Sequence, residues 1–352
     1  MLKSKFTFII PNLGFGGTES WVIKISNALV YSGHQVKVVL VSSGQRDRIS
    51  ELQPSVSVIG HRKKSWLQSL QSLFISIKEL EKNEKVFVLT ERLSAACSLF
   101  RLLGFFRGRD ISYRYSQMFE WSRKSHPYVH FFQNALIGIN AIFGEVKIIF
   151  QNQAQSDSWR RECWYINRCK IKIILNPVSI KSILNSCKNR KKLLVVGRLE
   201  REKNINYCID VMKSLPLDYS LDIYGSGSLA EQIKGDIDLS GLTNRVKIIK
   251  PVSCVAMNNY GFLLFSSEID VMPNAVLEAL AHGTPVAAKV CPGGISEIVN
   301  DYNGILLPSD TTPEEFGSHL VNAASKDWDC HLVKQTMIKF DIGKTILSLN
   351  GF

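Results

Sequence analysis

Nowhere in the 352 residues do 18 apolar residues run together, so no segment reads as a membrane-spanning helix. The nearest approach is FFQNALIGINAIFG, residues 131–144, which is interrupted by Gln133, Asn134 and Asn140 and reads as a core helix rather than an interfacial one. The first apolar run, in MLKSKFTFIIP, is too short for a secretion signal. No C-x-x-C and no zinc-type Cys/His spacing occurs. The eight cysteines, at 97, 163, 169, 187, 208, 254, 291 and 330, read as small buried hydrophobes of a reducing compartment. Short-period repeats and low-complexity tracts are also missing, which excludes solenoids and linkers.

Acidic residues are scarce in one half only. Residues 1–175 hold 25 Lys+Arg against 12 Asp+Glu, or +13, while residues 176–352 hold 18 against 19, or −1. A basic excess confined to one half is a surface for anions, or else an ordinary solvated basic face.

What is present is an alternation of short apolar strands and helical patterns. Strands are expected at 6–10, 36–41, 86–89 and 146–150, with a helix at 21–31 closed by Gly33. The pattern then restarts, with strands at 193–196, 221–224, 246–249, 262–265, 286–288 and 305–307 and a helix at 204–215. Repeated βα units imply parallel sheets covered on both faces. Two series of this length imply two domains, 1–176 and 177–334, with the seam in ILNPVSIKSILNSCKNRKK and the tail, about 335–352, packing back on the first.

Four stretches carry chemistry, each just after a strand, where open α/β sheets place ligands. In GFGGTE, Gly16 and Gly17 stand side by side before a helix; this suits backbone approach to a phosphate, and equally a tight turn. In VVGRLEREKN, Arg198 offers a planar fork and Lys203 a point charge, a fit for a diphosphate unless both pair with Glu200 and Glu202. IYGSGSL places Gly225 and Gly227 in another strand-to-helix turn. The fourth is SSEIDVMPNAVLEALAHGTPVAAKV. Here Asn274 is a good N-cap, the amides of Asn274, Ala275 and Val276 form an anion site, and Glu278 suits the vicinal diol of a ribose. Asp270 stands in the loop ahead and is placed to hold another sugar. Asp236 and Asp238 form a D-x-D, but in a polar helical stretch rather than after a strand.

Together and in order these stretches resemble retaining GT-B glycosyltransferases, in particular glycosyltransferase family 4 of the bacterial surface-polysaccharide type. The resemblance rests on Gly16-Gly17, Arg198 with Lys203, Gly225 with Gly227, the Glu278 helix followed by Gly283-Thr284-Pro285-Val286, the PGGISEIV loop, and Asn176-Pro177. The first acid of that family's E-x(7)-E falls on Asp270, with Glu268 two residues out of register and a weaker sugar contact. The family's histidine near the reacting sugar has no counterpart before His126, and Arg114 in ISYRYS stands as a possible sugar or acceptor contact.

The resemblance implies a GT-B fold, two Rossmann-like parallel-sheet domains facing across a cleft, and catalysis with neither metal nor cofactor. It implies a hexosyltransferase-like enzyme that transfers sugar from a UDP- or GDP-linked donor to a saccharide acceptor, a lipid-linked O-antigen, capsule or lipopolysaccharide precursor. Arg198, Lys203, Asp270 and Glu278 would be its catalytic residues. The basic first half adds an anionic membrane surface as partner, placing the protein in the cytoplasm, peripheral on the inner face of the cytoplasmic membrane, with no nucleic-acid partner. A sugar-nucleotide epimerase of the same fold and a non-catalytic nucleotide-sugar-binding subunit are the alternatives.

Overall fold

The computed structural model describes residues 4–14, 16–42, 48–60, 66–81, 83–105, 108–125, 127–180, 189–252 and 254–352. His126, Cys187 and residues 181–188 of the expected seam lie outside these. The chain forms two units, Met1–Pro177 with Ile342–Phe352, and Val178–Asp341.

The first unit contains β1 (Lys5–Ile10), α1 (Gly17–Tyr31), β2 (Gln35–Leu40), β3 (Ser57–Gly60), α2 (Trp66–Lys78), β4 (Glu84–Leu89), α3 (Glu91–Leu102), β5 (Asp110–Arg114), α4 (Phe119–Ser125), α5 (Pro127–Phe143), β6 (Lys147–Phe150), α6 (Gln153–Glu162) and β7 (Lys170–Ile173). The second contains β8 (Lys192–Val196), α7 (Ile205–Ser214), β9 (Ser220–Tyr224), α8 (Ala230–Leu239), β10 (Val246–Ile249), β11 (Phe262–Phe265), α9 (Asn274–Ala281), β12 (Val286–Lys289), α10 (Ile295–Ile298), β13 (Gly304–Leu307), α11 (Pro313–Ala324) and α12 (Cys330–Gln335). The last helix, α13 (Ile342–Asn350), belongs to the first unit.

All neighbouring strands pair in parallel, in the orders β3-β2-β1-β4-β5-β6-β7 and β10-β9-β8-β11-β12-β13. In each sheet the chain moves outward for three strands and then returns to the other side of the first. Strands covered on both faces read as nearly continuous apolar runs, as in KFTFII of β1. Phe6, Phe8 and Ile10 enter one core with Trp21, Val22 and Leu349, while Ile9 enters the opposite core with Leu73, Val88 and Ile148.

Three strands have no counterpart among the expected ones: β3 (SVIG), β5 (DISYR) and β7 (KIKI). Each is short and carries polar or charged residues, so an apolar-run criterion passes over them. The segment expected as a core helix is part of α5, but only one side is buried. Ile137, Asn140 and Ala141 face the core, whereas Tyr128, Phe131, Phe132 and Phe143 are exposed.

The return of α13 accounts for part of the basic excess. Lys85 donates to the carbonyl oxygen of Asn350, Lys147 to that of Phe352 at 2.7 Å and Lys172 to that of Ser348 at 2.8 Å. Lys147 and Lys172 also lie over the Phe352 ring, at 5.5 and 5.6 Å. Cations at the carboxyl end of a helix satisfy its last carbonyls and oppose its dipole. Ile346, Leu349 and Phe352 supply the apolar side of the same contact. Leu349→Ala, at a fully buried position, is expected to cost about 2–5 kcal/mol. A denaturation midpoint equal to that of the parent would show that α13 contributes nothing to the core.

Candidate functional site

The second sheet reverses strand order between β8 and β11, and the loops leaving those two strands meet at their carboxyl ends. The loop after β8 runs from Gly197 into a 3₁₀ turn, Arg201–Lys203, and then into α7 through Asn204, a left-handed residue with φ 48°. The loop after β11 runs from Ser266 to the start of α9. The Glu268 amide donates to the Glu202 carbonyl at 2.8 Å, and Ser266 Oγ donates to the carbonyls of Lys203 at 3.1 Å and Asn204 at 2.9 Å. These backbone links hold the loops in register.

Across them Lys203 Nζ meets Asp270 Oδ2 at 2.5 Å, with side chains only 20% and 16% exposed. The Asp270 backbone is pinned from below: its amide donates to Pro292 and its carbonyl accepts from the Gly294 amide. Asp270 pairs as an isolated bridge with Gly293, whose φ is +127°. A Cβ on Gly293 would come 1.8 Å from the Asp270 carbonyl oxygen, so only glycine fits. Cys291, beside this pair, is buried, and desolvation pushes its thiol pKa up to about 12. It is an inert neighbour.

Arg198 and Lys203 have different partners. Arg198, exposed, pairs with Glu202 at 2.6 Å, as the salt-bridge reading of this loop expects, whereas Lys203 pairs with Asp270 and not with either glutamate. Glu200 accepts from the Ser228 hydroxyl at 2.6 Å and its amide at 2.9 Å, and those bonds hold its carboxyl below the usual range. Glu200 thereby ties the loop after β8 to the GSGS turn after β9. Gly225 and Gly227 are required by that contact: a Cβ on either would meet the carbonyl oxygen of Gly197 at 2.2 Å or of Leu199 at 2.3 Å.

The start of α9 differs from the expectation. Asn274 is the first helical residue rather than the cap; Pro273 occupies the cap position, with its ring fixing φ at −71°. Asn274, Ala275 and Glu278 are half-buried, Val276 is buried and Glu268 is exposed. Asp236, the first acid of the D-x-D, sits in α8 and accepts from Asn206 Nδ2 at 2.9 Å.

Gly16, Gly17 and Arg114 lie in the first unit. Gly17 opens α1, and the Glu19 carboxylate folds back over Gly16, where an added Cβ would meet Oε2 at 2.2 Å. An acid at a helix start satisfies the same dipole that a phosphate would. Arg114, at the end of β5, is 1% exposed, stacks 4.4 Å from the Trp21 ring and donates to Asn176 Oδ1 at 2.6 Å. Burial depresses its pKa, and Glu91 opposes that shift. In this arrangement the guanidinium binds the fold and does not face solvent.

Gly293, Ser266 and the Glu200–Ser228 link were not among the candidate residues. The Gly-Gly of PGGIS was the available signal, since two glycines after a strand mark close backbone approach. Gly293→Ala is expected to destabilise the protein by about 1–3 kcal/mol through backbone strain, with a clash in addition. Thermal unfolding checks this, and a variant as stable as the parent would mean that the support beneath Asp270 is not rigid.

Comparison with known proteins places this geometry. The model of the family Glycosyl transferases group 1 matches residues 179–331, nearly all of the second unit. An uncharacterised glycosyltransferase of Haemophilus influenzae is 25% identical over 329 residues, 88% of each chain. The lipopolysaccharide 1,6-galactosyltransferase of Salmonella typhimurium is 28% identical over 162 residues, 43% of this chain and 45% of that one. Among solved structures, HepE of Anabaena in complex with UDP superposes with a TM-score of 0.77 at 16% identity over 99% of both chains. The fold is α/β with two parallel sheets, matching GT-B glycosyltransferase structures, and the second unit is similar in sequence to Glycosyl transferases group 1.

Proposed function

We propose that the chain is a glycosyltransferase that moves a sugar from a UDP- or GDP-linked donor, held by the second unit, to a saccharide acceptor of a lipid-linked O-antigen, capsule or lipopolysaccharide precursor. The observation that carries the reading is the Lys203–Asp270 pair at the strand-order reversal of the second sheet, within the stretch that matches the family. The lipopolysaccharide galactosyltransferase relative supports the acceptor class, and the UDP complex of a structural neighbour supports the donor class.

The chemistry divides among the residues as follows. The glycosyl–phosphate bond breaks with its electron pair going to the phosphate oxygen. Lys203 and Arg198 offset the charge that develops there, together with the first amides of α9. Asp270 holds hydroxyls of the transferred sugar and Glu278 the ribose diol. The acceptor oxygen bonds the anomeric carbon from the face the phosphate leaves, and its proton passes to the departing phosphate oxygen, so configuration is retained. The two cations take the part that a metal ion plays in other transferases, so full activity in excess chelator is expected. Loss of activity that a divalent ion restores would overturn this.

The test is a panel of nucleotide sugars read by thermal protection, followed by a transfer assay in the presence and absence of a saccharide acceptor. Transfer supports the proposal; a changed nucleotide sugar formed without acceptor, or binding without turnover, overturns it.

The ion pair sharpens the mutational pattern, because removing either partner leaves the other half-buried and unpaired. Lys203→Met is expected to lower turnover by about 10²–10³-fold. Asp270→Asn keeps the shape and removes a negative charge beside the diphosphate. It should reduce transfer while leaving nucleoside diphosphate affinity equal or tighter. Glu278→Gln should weaken that affinity by about 1.5–3 kcal/mol, the worth of a charged hydrogen bond. Glu268→Ala should alter neither. Isothermal titration with UDP and GDP, beside turnover, separates these outcomes, and a silent Asp270 beside a damaging Glu268 would move the sugar contact by two residues.

A further inference from the structure

Helix α5 buries Ile137 and Ala141 together with its polar residues His130 and Asn140, and turns a second apolar row outward. On the buried side, His130 Nδ1 shares a hydrogen bond with Ser122 Oγ at 2.8 Å, Asn134 accepts from the Tyr165 hydroxyl, and Asn140 Nδ2 donates to the Ser98 carbonyl at 2.8 Å. The open side carries Tyr128, Phe131, Phe132, Ile139, Ile142 and Phe143, with Ala135 completing the row. The spacings from Tyr128 are 3, 4, 7, 11, 14 and 15, one continuous stripe of a 3.6-residue helix. Tyr128 is 82% exposed, Phe131 68%, Phe132 65% and Phe143 79%. Scattered exposed hydrophobics need no explanation, but a row about 22 Å long on one helix does.

The stripe is extended and rimmed. Trp164, 59% exposed, lies against α5 beside Gly138, where an added Cβ would be 3.6 Å from its ring, and Arg168 stands 5.7 Å from that ring. The 17 residues of α5 contain no Asp, Glu, Lys or Arg. The elements that pack on it, α3, α4 and the 3₁₀ turn Trp164–Arg168, carry Arg92, Arg101, Arg123, Lys124 and Arg168, against one exposed acid, Glu120; Glu145 follows just past α5. No helix among the described residues is long and apolar enough to cross a membrane.

We propose that α5 is a membrane-docking helix: it lies flat in an anionic lipid surface, with the Tyr128–Phe143 stripe and Trp164 entering the headgroup–acyl boundary and the surrounding arginines and Lys124 meeting lipid phosphates. An uncharged apolar face flanked by cations, with aromatic side chains at the boundary, is what an interfacial helix requires. Each cation held near an anionic leaflet adds attraction that salt screens. A second copy of this chain fits less well, because a symmetric contact would set two basic rims against each other. The proposal goes beyond the transferase reading and is tested without donor or acceptor, so either can fail alone.

The full chain is incubated with vesicles of phosphatidylcholine, with and without phosphatidylglycerol, and sedimented at low and high salt while tryptophan fluorescence is recorded. Expected are binding to the phosphatidylglycerol vesicles that salt weakens and a blue shift that Trp164→Phe largely removes. Phe131→Ser with Phe132→Ser should leave thermal unfolding unchanged and reduce vesicle affinity about tenfold or more. Absence of vesicle binding, or equal binding by the double variant, overturns the proposal. So does concentration-dependent self-association that the double variant abolishes, which would make the stripe a contact between copies.

Discussion

Parallel strands cannot be joined by a tight turn, so each step through such a sheet needs a crossover, and the direction of stepping decides where loops gather. In the second unit the chain steps from β8 through β9 to β10 and then must return to the free side of β8 as β11. The crossovers on either side of that reversal part from one another and leave the carboxyl ends of β8 and β11 open to a ligand. This constraint brings Lys203 and Asp270, 67 residues apart in the chain, to 2.5 Å. The remaining features of the site serve it: Ser266 and the Glu268 amide lock the two loops together, and Glu200 secures the outer side through Ser228.

Within that frame the ion pair has two consequences. A cation and an acid that are each less than a quarter exposed are far more costly to separate than a surface pair, so the pair fixes the loop before any ligand arrives. It also holds the ammonium at the carboxyl end of the sheet, between the loops after β8 and β11. The shorter acid suits this arrangement. Asp270 is bonded through its own amide and carbonyl to Pro292 and Gly294, so its carboxylate is aimed from a fixed backbone and needs no longer reach. Gly293 makes that close backbone approach possible.

The strands of the second unit were legible nearly to the residue, because runs such as FLLF are uninterrupted and apolar, with glycine or polar turns around them. The sequence did not show β3, β5 or β7, where four or five residues mix apolar with polar or charged ones and pairing with a neighbour decides the outcome. The motif loops were legible, since glycine and strand ends mark them. Their internal pairing was not: Lys203 has two glutamates within three residues and binds neither, because the partner it meets comes from the loop after a strand adjacent in space and distant in sequence. Asn274 was read as a cap from its side chain, but the preceding proline fixes the backbone one residue earlier.

The charge of the first unit is the case in which a total misleads until each residue has an address. Lys85, Lys147 and Lys172 are consumed by the carbonyls at the end of α13, Lys5 and Lys37 by Glu81 and Glu84, and Arg48 by Glu51. Arg114 is buried on Trp21. None of these is free to attract an anion, although all enter the net count. Among the described residues, the cations around α5 are different. Arg123, which lies 5.6 Å from the Phe119 ring, has a long, exposed ion pair with Glu162 at 3.7 Å, which contributes little in water. Part of the charge that remains therefore borders a helix whose apolar side is open, and its position says more than its sum.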